Sequence, residues 1–95
     1  MHVTILGRRY GFRFVPFLGK NVHGKCEKPS CPNPMIRIKK GLSEEQTLDA
    51  ILHEIGHASD WNKTEEWITD FATDAAKILI RLGYRRIQEG KLDGK

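Results

Sequence analysis

The sequence predicts a small α+β domain, in which a short N-terminal sheet of about three strands precedes two helices. Three strand-like runs lie within the first 39 positions, and two segments with apolar residues at helical spacing occupy most of the remainder. Because 95 residues is the size of one domain, we expect residues 1–95 to fold as a single unit.

The three predicted strands are residues 2–6, 10–15 and 35–39. A turn at Gly7, Arg8 and Arg9 is expected to join the first two. The second run alternates aromatic residues with smaller or charged ones, which is typical of a half-buried strand. Residues 18–34 are rich in proline and contain both cysteines, so they are predicted to form a loop.

The first predicted helix begins after Ser43 and runs to about Asp60. Ser43 and Gln46 have the spacing of a capping box, in which each side chain bonds the backbone of the other residue. Four residues at helical spacing define the apolar face that we expect to contact the core. They are Leu48, Ile51, Leu52 and Ile55.

The second predicted helix is capped by Asn62 or Thr64 and ends at Gly83. Its apolar residues form one broad stripe that is expected to be buried. They are Trp67, Ile68, Phe71, Ala72, Ala75, Ile78, Leu79 and Leu82. The polar tail from Gln88 onward is expected to be frayed.

Net charge and the length of the apolar runs limit the partners and the compartment that we expect for this protein. The formal net charge of +4 is attributed to a solvated surface, so a nucleic-acid partner is allowed but not favoured. No apolar run approaches the roughly 20 residues of a membrane span, and no signal peptide is recognisable. We therefore expect a cytoplasmic protein without a membrane partner, in which Cys26 and Cys31 are reduced loop residues with no shared role. A local disulfide between them, formed in contact with an oxidant, is the alternative.

The segment His-Glu-Ile-Gly-His at residues 53–57 lies in the middle of the first helix. His53 and His57 are four residues apart, so both rings lie on one face and can bind the same metal ion. Glu54 lies to the side, where it can take a proton from a metal-bound water without being a ligand itself. The two histidines point nearly opposite the predicted apolar face, towards solvent or a cleft beside the second helix.

A catalytic zinc ion usually has a third protein ligand, and two glutamates at the start of the second helix are candidates. Glu65 is favoured because it shares its helix face with Ile68 and Ala72, at the edge of the apolar stripe. Glu66 is the alternative, since it points further outward and has Asp70 one turn later to orient a histidine ligand.

Together, these residues resemble a minimal gluzincin of the zincin class. The chain is similar to small metallopeptidases encoded by phages and to the ImmA/IrrE-like group. In thermolysin-type enzymes the ligand glutamate lies six residues before a Phe-Gly-Thr segment, and Glu65 lies six residues before Phe71-Ala72-Thr73. The resemblance covers about residues 35–84, and it implies a phage origin with action in the host cytoplasm.

The resemblance implies a zinc-dependent endopeptidase with a peptide or protein as substrate. Glu54 would be the general base, and His53, His57 and Glu65 would hold Zn²⁺. Zincins also place a substrate-binding edge strand beside the active-site helix, and residues 35–39 are expected to be that strand. The alternative is a catalytically weak, metal-stabilised module that binds protein or nucleic acid. A third hypothesis is a structural protein whose histidines are incidental.

Overall fold

The computed structural model describes residues 1–86, which form four strands followed by two helices. In chain order they are β1 (His2–Ile5), β2 (Arg8–Val15), β3 (Gly24–Cys26), β4 (Met35–Lys39), α1 (Glu44–Ser59) and α2 (Glu65–Arg81). The predicted α+β class is confirmed, and the sheet has one strand more than expected. None of the helices in this part of the chain is long and apolar enough to cross a membrane. The tail from Gln88 onward lies outside the described residues.

The sheet is mixed, with the strand order β1-β2-β4-β3. β1 and β2 are antiparallel, β2 and β4 are parallel, and β4 and β3 are antiparallel. Leu6 and Gly7 alone make the β1–β2 turn, with φ values of 48° and 81°. Two consecutive positive φ angles match the right-handed twist of a hairpin. Arg8 and Arg9, which we expected in the turn, therefore begin β2 instead.

β3 lies within the segment that the sequence analysis assigned to a loop. It pairs with β4 along its whole length, with Gly24 opposite Ile38 and Cys26 opposite Ile36. β4 is consequently an inner strand, and the prediction that residues 35–39 form the edge strand is wrong. β3 is the edge strand on that side. Its three residues are too few to show an alternating pattern.

The core lies between the sheet and one face of α1. Four large side chains from β2 and β4 pack against two alanines of α1. These core residues are Tyr10, Phe12, Ile36, Ile38, Ala50 and Ala58. Small residues on this face let the helix lie close to the sheet.

The apolar face predicted for α1 is therefore only partly correct. Ile51 packs against the core, but Ile55 is 36% exposed. Together with Leu48, these residues line an open apolar groove of 430 Å³ beside Ile80 of α2. The line of α1 that is most buried instead runs through Ala50, Glu54 and Ala58.

Both helices begin at caps that the sequence indicates. The Ser43 hydroxyl accepts a bond from the Gln46 backbone, and the Gln46 side chain accepts one from the Ser43 backbone, each 3.1 Å long. Thr64, rather than Asn62, caps α2 and accepts a bond of 3.1 Å from the Trp67 backbone. These local bonds fix where each helix starts, independently of the core.

α2 packs against α1 through part of its predicted apolar stripe. Ile68, Ala72 and Ala76 are fully buried, whereas Trp67 and Phe71 are about half exposed. At the crossing, a Cβ atom on Gly56 would lie 2.9 Å from the Ile68 Cδ1 atom and 3.4 Å from its Cγ2 atom. Glycine at this position therefore allows the two helices to approach closely.

Substitutions at Gly56 test this close approach. Gly56→Val is expected to lower the free energy of unfolding by about 2 kcal/mol, because its branched side chain overpacks the contact with Ile68. Gly56→Ala is the control with a smaller side chain. Alanine gains about 1 kcal/mol in helix propensity, which offsets the cost of its contact with the flexible end of the Ile68 side chain, so little change in stability is expected. Urea unfolding with a chelator present measures both, and a valine variant as stable as wild type would refute the close contact.

Candidate metal centre

Two histidines of α1 and one glutamate of α2 converge at the N-terminal end of α2. The Nε2 atoms of His53 and His57 lie 3.1 Å apart. The carboxylate of Glu65 contacts both rings, with Oε1 2.7 Å from His53 Nε2 and Oε2 2.9 Å from His57 Nε2. One donor atom from each residue lies within 4.8 Å of the other two.

The chemistry and spacing of these donors fit a metal ion. Imidazole nitrogens and carboxylate oxygens are ordinary ligands of divalent transition metals. The 3.1 Å between the ring nitrogens is close to the separation of about 3.3 Å expected for two nitrogens bound at about 2.0 Å to one tetrahedral ion. Both rings are only 18% exposed, so their nitrogens are already largely shielded from water. The three side chains can therefore hold a metal ion.

The alternative third ligand, Glu66, lies outside this group. Its side chain is exposed on the next position of α2, whereas Glu65 is the residue that reaches the two histidines. Glu65 is also the first residue of the helix, directly after the Thr64 cap. Its position is therefore set by the start of α2 and by the packing of that helix against α1.

Glu54 lies beside the histidines on the sheet-facing side of α1. It is only 6% exposed, and its carboxyl packs against β3, where a Cβ atom on Gly24 would lie 3.0 Å from Oε2. Burial raises the pKa of Glu54 to about 7; the neighbouring His53 lowers the pKa and Glu65 raises it. The absence of a side chain on Gly24 thus leaves room for a carboxyl that exchanges protons near neutral pH.

Two clefts open beside the three converging side chains. One, of 520 Å³, has a polar lining that includes Asn21, His23, Gln46, Asp49, Thr69 and Thr73. The other, of 450 Å³, is lined by Cys26, Trp61 and Lys63 among others. Gly24, His53, Glu54 and Glu65 belong to the walls of both. An extended ligand that follows both clefts would therefore pass the candidate metal centre.

The free edge of β3 borders these clefts. Lys39 donates a backbone bond to the His23 carbonyl, and Glu27 donates one to the Met35 carbonyl, so positions 23, 25 and 27 bond to β4. In an antiparallel pair, the alternate positions direct their backbone groups away from the partner strand. The N–H and C=O groups of Gly24 and Cys26 therefore point outward, away from β4.

The two cysteines, Cys26 and Cys31, are free thiols in the structure. Cys26 belongs to β3 and to a cleft wall, which the loop prediction did not anticipate. Burial raises the pKa of its thiol to about 12, and the negative charges of Glu54 and Glu27 raise it too. Its thiol is therefore neutral at physiological pH.

The structure brings together His53, His57 and Glu65, with Glu54 beside them, and all four are candidates from the sequence. Gly24 and Cys26, which border the same clefts, were not predicted as site residues. The only local signal for β3 is a three-residue segment, Gly-Lys-Cys, whose role becomes visible only through its pairing with β4. Trp61 is 37% exposed and lies beside His57, with 6.0 Å between ring centroids.

Comparison of the chain with protein-family models, curated proteins and solved structures finds no match. Its function is therefore inferred from the residues of the candidate metal centre and from their geometry.

The choice between the two glutamates predicts different effects on metal affinity. Glu65→Gln is expected to raise the dissociation constant for Zn²⁺ by more than the roughly hundredfold that loss of an outer hydrogen-bond partner costs. Glu66→Gln removes the same charge one residue away and is expected to leave the affinity unchanged. Competition with a chromophoric chelator measures both constants. The opposite order would identify Glu66 as the ligand.

Proposed function

We propose that this chain is a zinc-dependent metallopeptidase that hydrolyses internal peptide bonds of a peptide or protein. The observation that carries the proposal is the convergence of His53, His57 and Glu65 beside the buried carboxyl of Glu54. The same arrangement is expected from the resemblance to minimal zincins. The combination of three possible metal ligands with an adjacent base supports the proposal more strongly than any one of these residues does.

Zinc is the metal that we propose for this donor set. Two histidines and one glutamate are a known ligand set of catalytic zinc, which keeps one further position open. A zinc ion held by His53, His57 and Glu65 would supply a Lewis acid that polarises a carbonyl group and makes a bound water acidic. The shielded rings and the more exposed Glu65 would allow a substrate to approach from the Glu65 side.

Glu54 is the proposed general base. A carboxyl with a pKa near neutrality can both accept a proton and release it at physiological pH. In the proposed reaction Glu54 takes a proton from the water whose oxygen attacks the peptide carbonyl carbon. It then delivers that proton to the amide nitrogen as the C–N bond breaks. The low exposure of Glu54 keeps this carboxyl apart from bulk water.

The proposed substrate is an extended peptide that adds to the sheet at the edge of β3. Outward backbone groups of Gly24 and Cys26 provide the hydrogen bonds of strand addition. Clefts on both sides of the centre would take side chains before and after the cleaved bond. Because the substrate peptide would continue past the centre in both directions, this arrangement favours cleavage within a peptide over removal of a terminal residue.

Removing the proposed base separates catalysis from metal binding. Glu54→Gln is expected to lower kcat/KM by about 10²-fold to 10⁴-fold, which is the usual contribution of a general base. Zinc affinity is expected to persist, because all three ligands remain. Cleavage of an unfolded protein, mapped by mass spectrometry at pH 7, provides the measurement.

Glu45→Gln is the matched control, since Glu45 is an exposed glutamate on the same helix. It is expected to cleave at the wild-type rate. Full activity of Glu54→Gln would eliminate Glu54 as the base. A zinc-loaded wild-type chain that cleaves no substrate in a broad peptide library would favour the metal-stabilised binding module instead.

A further inference from the structure

α2 carries a second apolar surface, separate from the residues that it buries against α1. We call this surface the outer stripe. It consists of Trp67, Phe71, Ala75, Ile78 and Leu82. The four large members are 47%, 48%, 58% and 69% exposed in chain order, so the described part of the chain leaves the stripe largely uncovered. Its continuity distinguishes it from scattered single apolar residues.

The outer stripe follows one face of α2, as the seam between two packed helices does. Successive members lie four, four, three and four residues apart, which is close to the 3.6 residues of one helical turn. The stripe extends along about 22 Å of helix, at 1.5 Å per residue. At one end the rings of Trp67 and Phe71 stack with an interplanar angle of 5° and centroids 5.3 Å apart.

Charged residues flank the outer stripe on one side and are divided by sign along the helix. Asp70 and Asp74 lie in the N-terminal half, and Lys77 and Arg81 lie in the C-terminal half. All four are exposed, and none forms an ion pair with another of residues 1–86. One edge of the seam is therefore acidic at one end and basic at the other.

We propose that a second copy of this chain docks on the outer stripe, with the two α2 helices antiparallel. In this arrangement Trp67 meets the partner's Leu82, and Phe71 meets the partner's Ile78. Reversing the helix direction also places Asp70 opposite the partner's Arg81. A two-fold axis repeats each contact, so one self-complementary surface closes the dimer.

The charged residues beside the outer stripe indicate both that the partner is a second copy and that the two α2 helices run in opposite directions. A parallel pair would place the charged edge of one stripe against the uncharged edge of the other, so only the antiparallel pair joins opposite charges. Asp74 then lies opposite the partner's Lys77, as the second repeat of the same pattern. The surface is thus complementary to itself. This inference goes beyond the proposed peptidase function and does not rest on it.

The first test measures the mass of the full chain by sedimentation equilibrium over a range of concentrations. We expect about twice the monomer mass of 10.9 kDa. Ile78→Asp is expected to raise the dimer dissociation constant by about a hundredfold, because two isoleucine side chains lose their burial in each dimer. Phe17→Asp is the matched control, because Phe17 is 69% exposed but lies outside the stripe. Circular dichroism verifies that both variants fold.

A wild-type chain that stays monomeric up to about 1 mM would overturn the proposal. An Ile78→Asp variant that dimerises as tightly as wild type would overturn it as well, because the dimer would then use another surface.

The second test exchanges the charges. One variant combines Asp70→Lys with Asp74→Lys, and the other combines Lys77→Asp with Arg81→Asp. Each variant alone is expected to dissociate, because like charges then face each other across the two-fold axis. An equal mixture is expected to form a heterodimer, because every facing pair is again opposite in sign. A mixture that associates no better than its separate components would refute the antiparallel pairing.

Discussion

The close packing of α2 on α1 is the contact on which the candidate metal centre depends. The centre is divided between the two helices, since two of its side chains belong to α1 and Glu65 belongs to α2. Gly56 lies within the histidine motif itself, and its missing side chain leaves the space that Ile68 occupies. A hydrogen bond of 3.0 Å from the Thr73 hydroxyl to Asp49 ties the same helices together further along. The distance between histidines and glutamate is thus a consequence of apolar packing, with a polar contact fixing the alignment of the helices.

The sheet provides the other half of the site. β3 lies against α1 and leaves a glycine opposite the Glu54 carboxyl, so this group is buried with its pKa raised towards neutrality. Burying a carboxyl is unfavourable for its charged form, and a fold that tolerates it gives up some stability. For the proposed peptidase, the benefit is a base that lies beside the metal ligands and apart from bulk water. The same strand directs backbone groups of Gly24 and Cys26 outward, so one short element both shields the Glu54 carboxyl and borders the two clefts beside the candidate metal centre.

Much of this arrangement could be predicted from local sequence. Ser43 marks the start of α1, the choice of Asn62 or Thr64 limits the start of α2 to two positions, and the spacing of His53 and His57 is sufficient to place them on one helix face. Local patterns cannot reveal contacts between distant segments, which is why β3 was missed and β4 was misplaced at the edge. The apolar face of α1 was assigned to its largest residues, yet the sheet accepts the smaller Ala50 and Ala58. The apolar stripe predicted for α2 is wider than the surface that α1 covers, so part of it is buried against α1 and part remains exposed.

In the folded chain, His53, His57 and Glu65 are the residues proposed to hold one metal ion. Elemental analysis of protein purified without a histidine tag tests this proposal most directly, for wild type and for His53→Ala. We expect about one zinc ion per wild-type chain and almost none in the variant, because the remaining two ligands hold the ion too weakly. A wild-type chain that takes up no zinc, even after zinc is added back, would contradict the proposal.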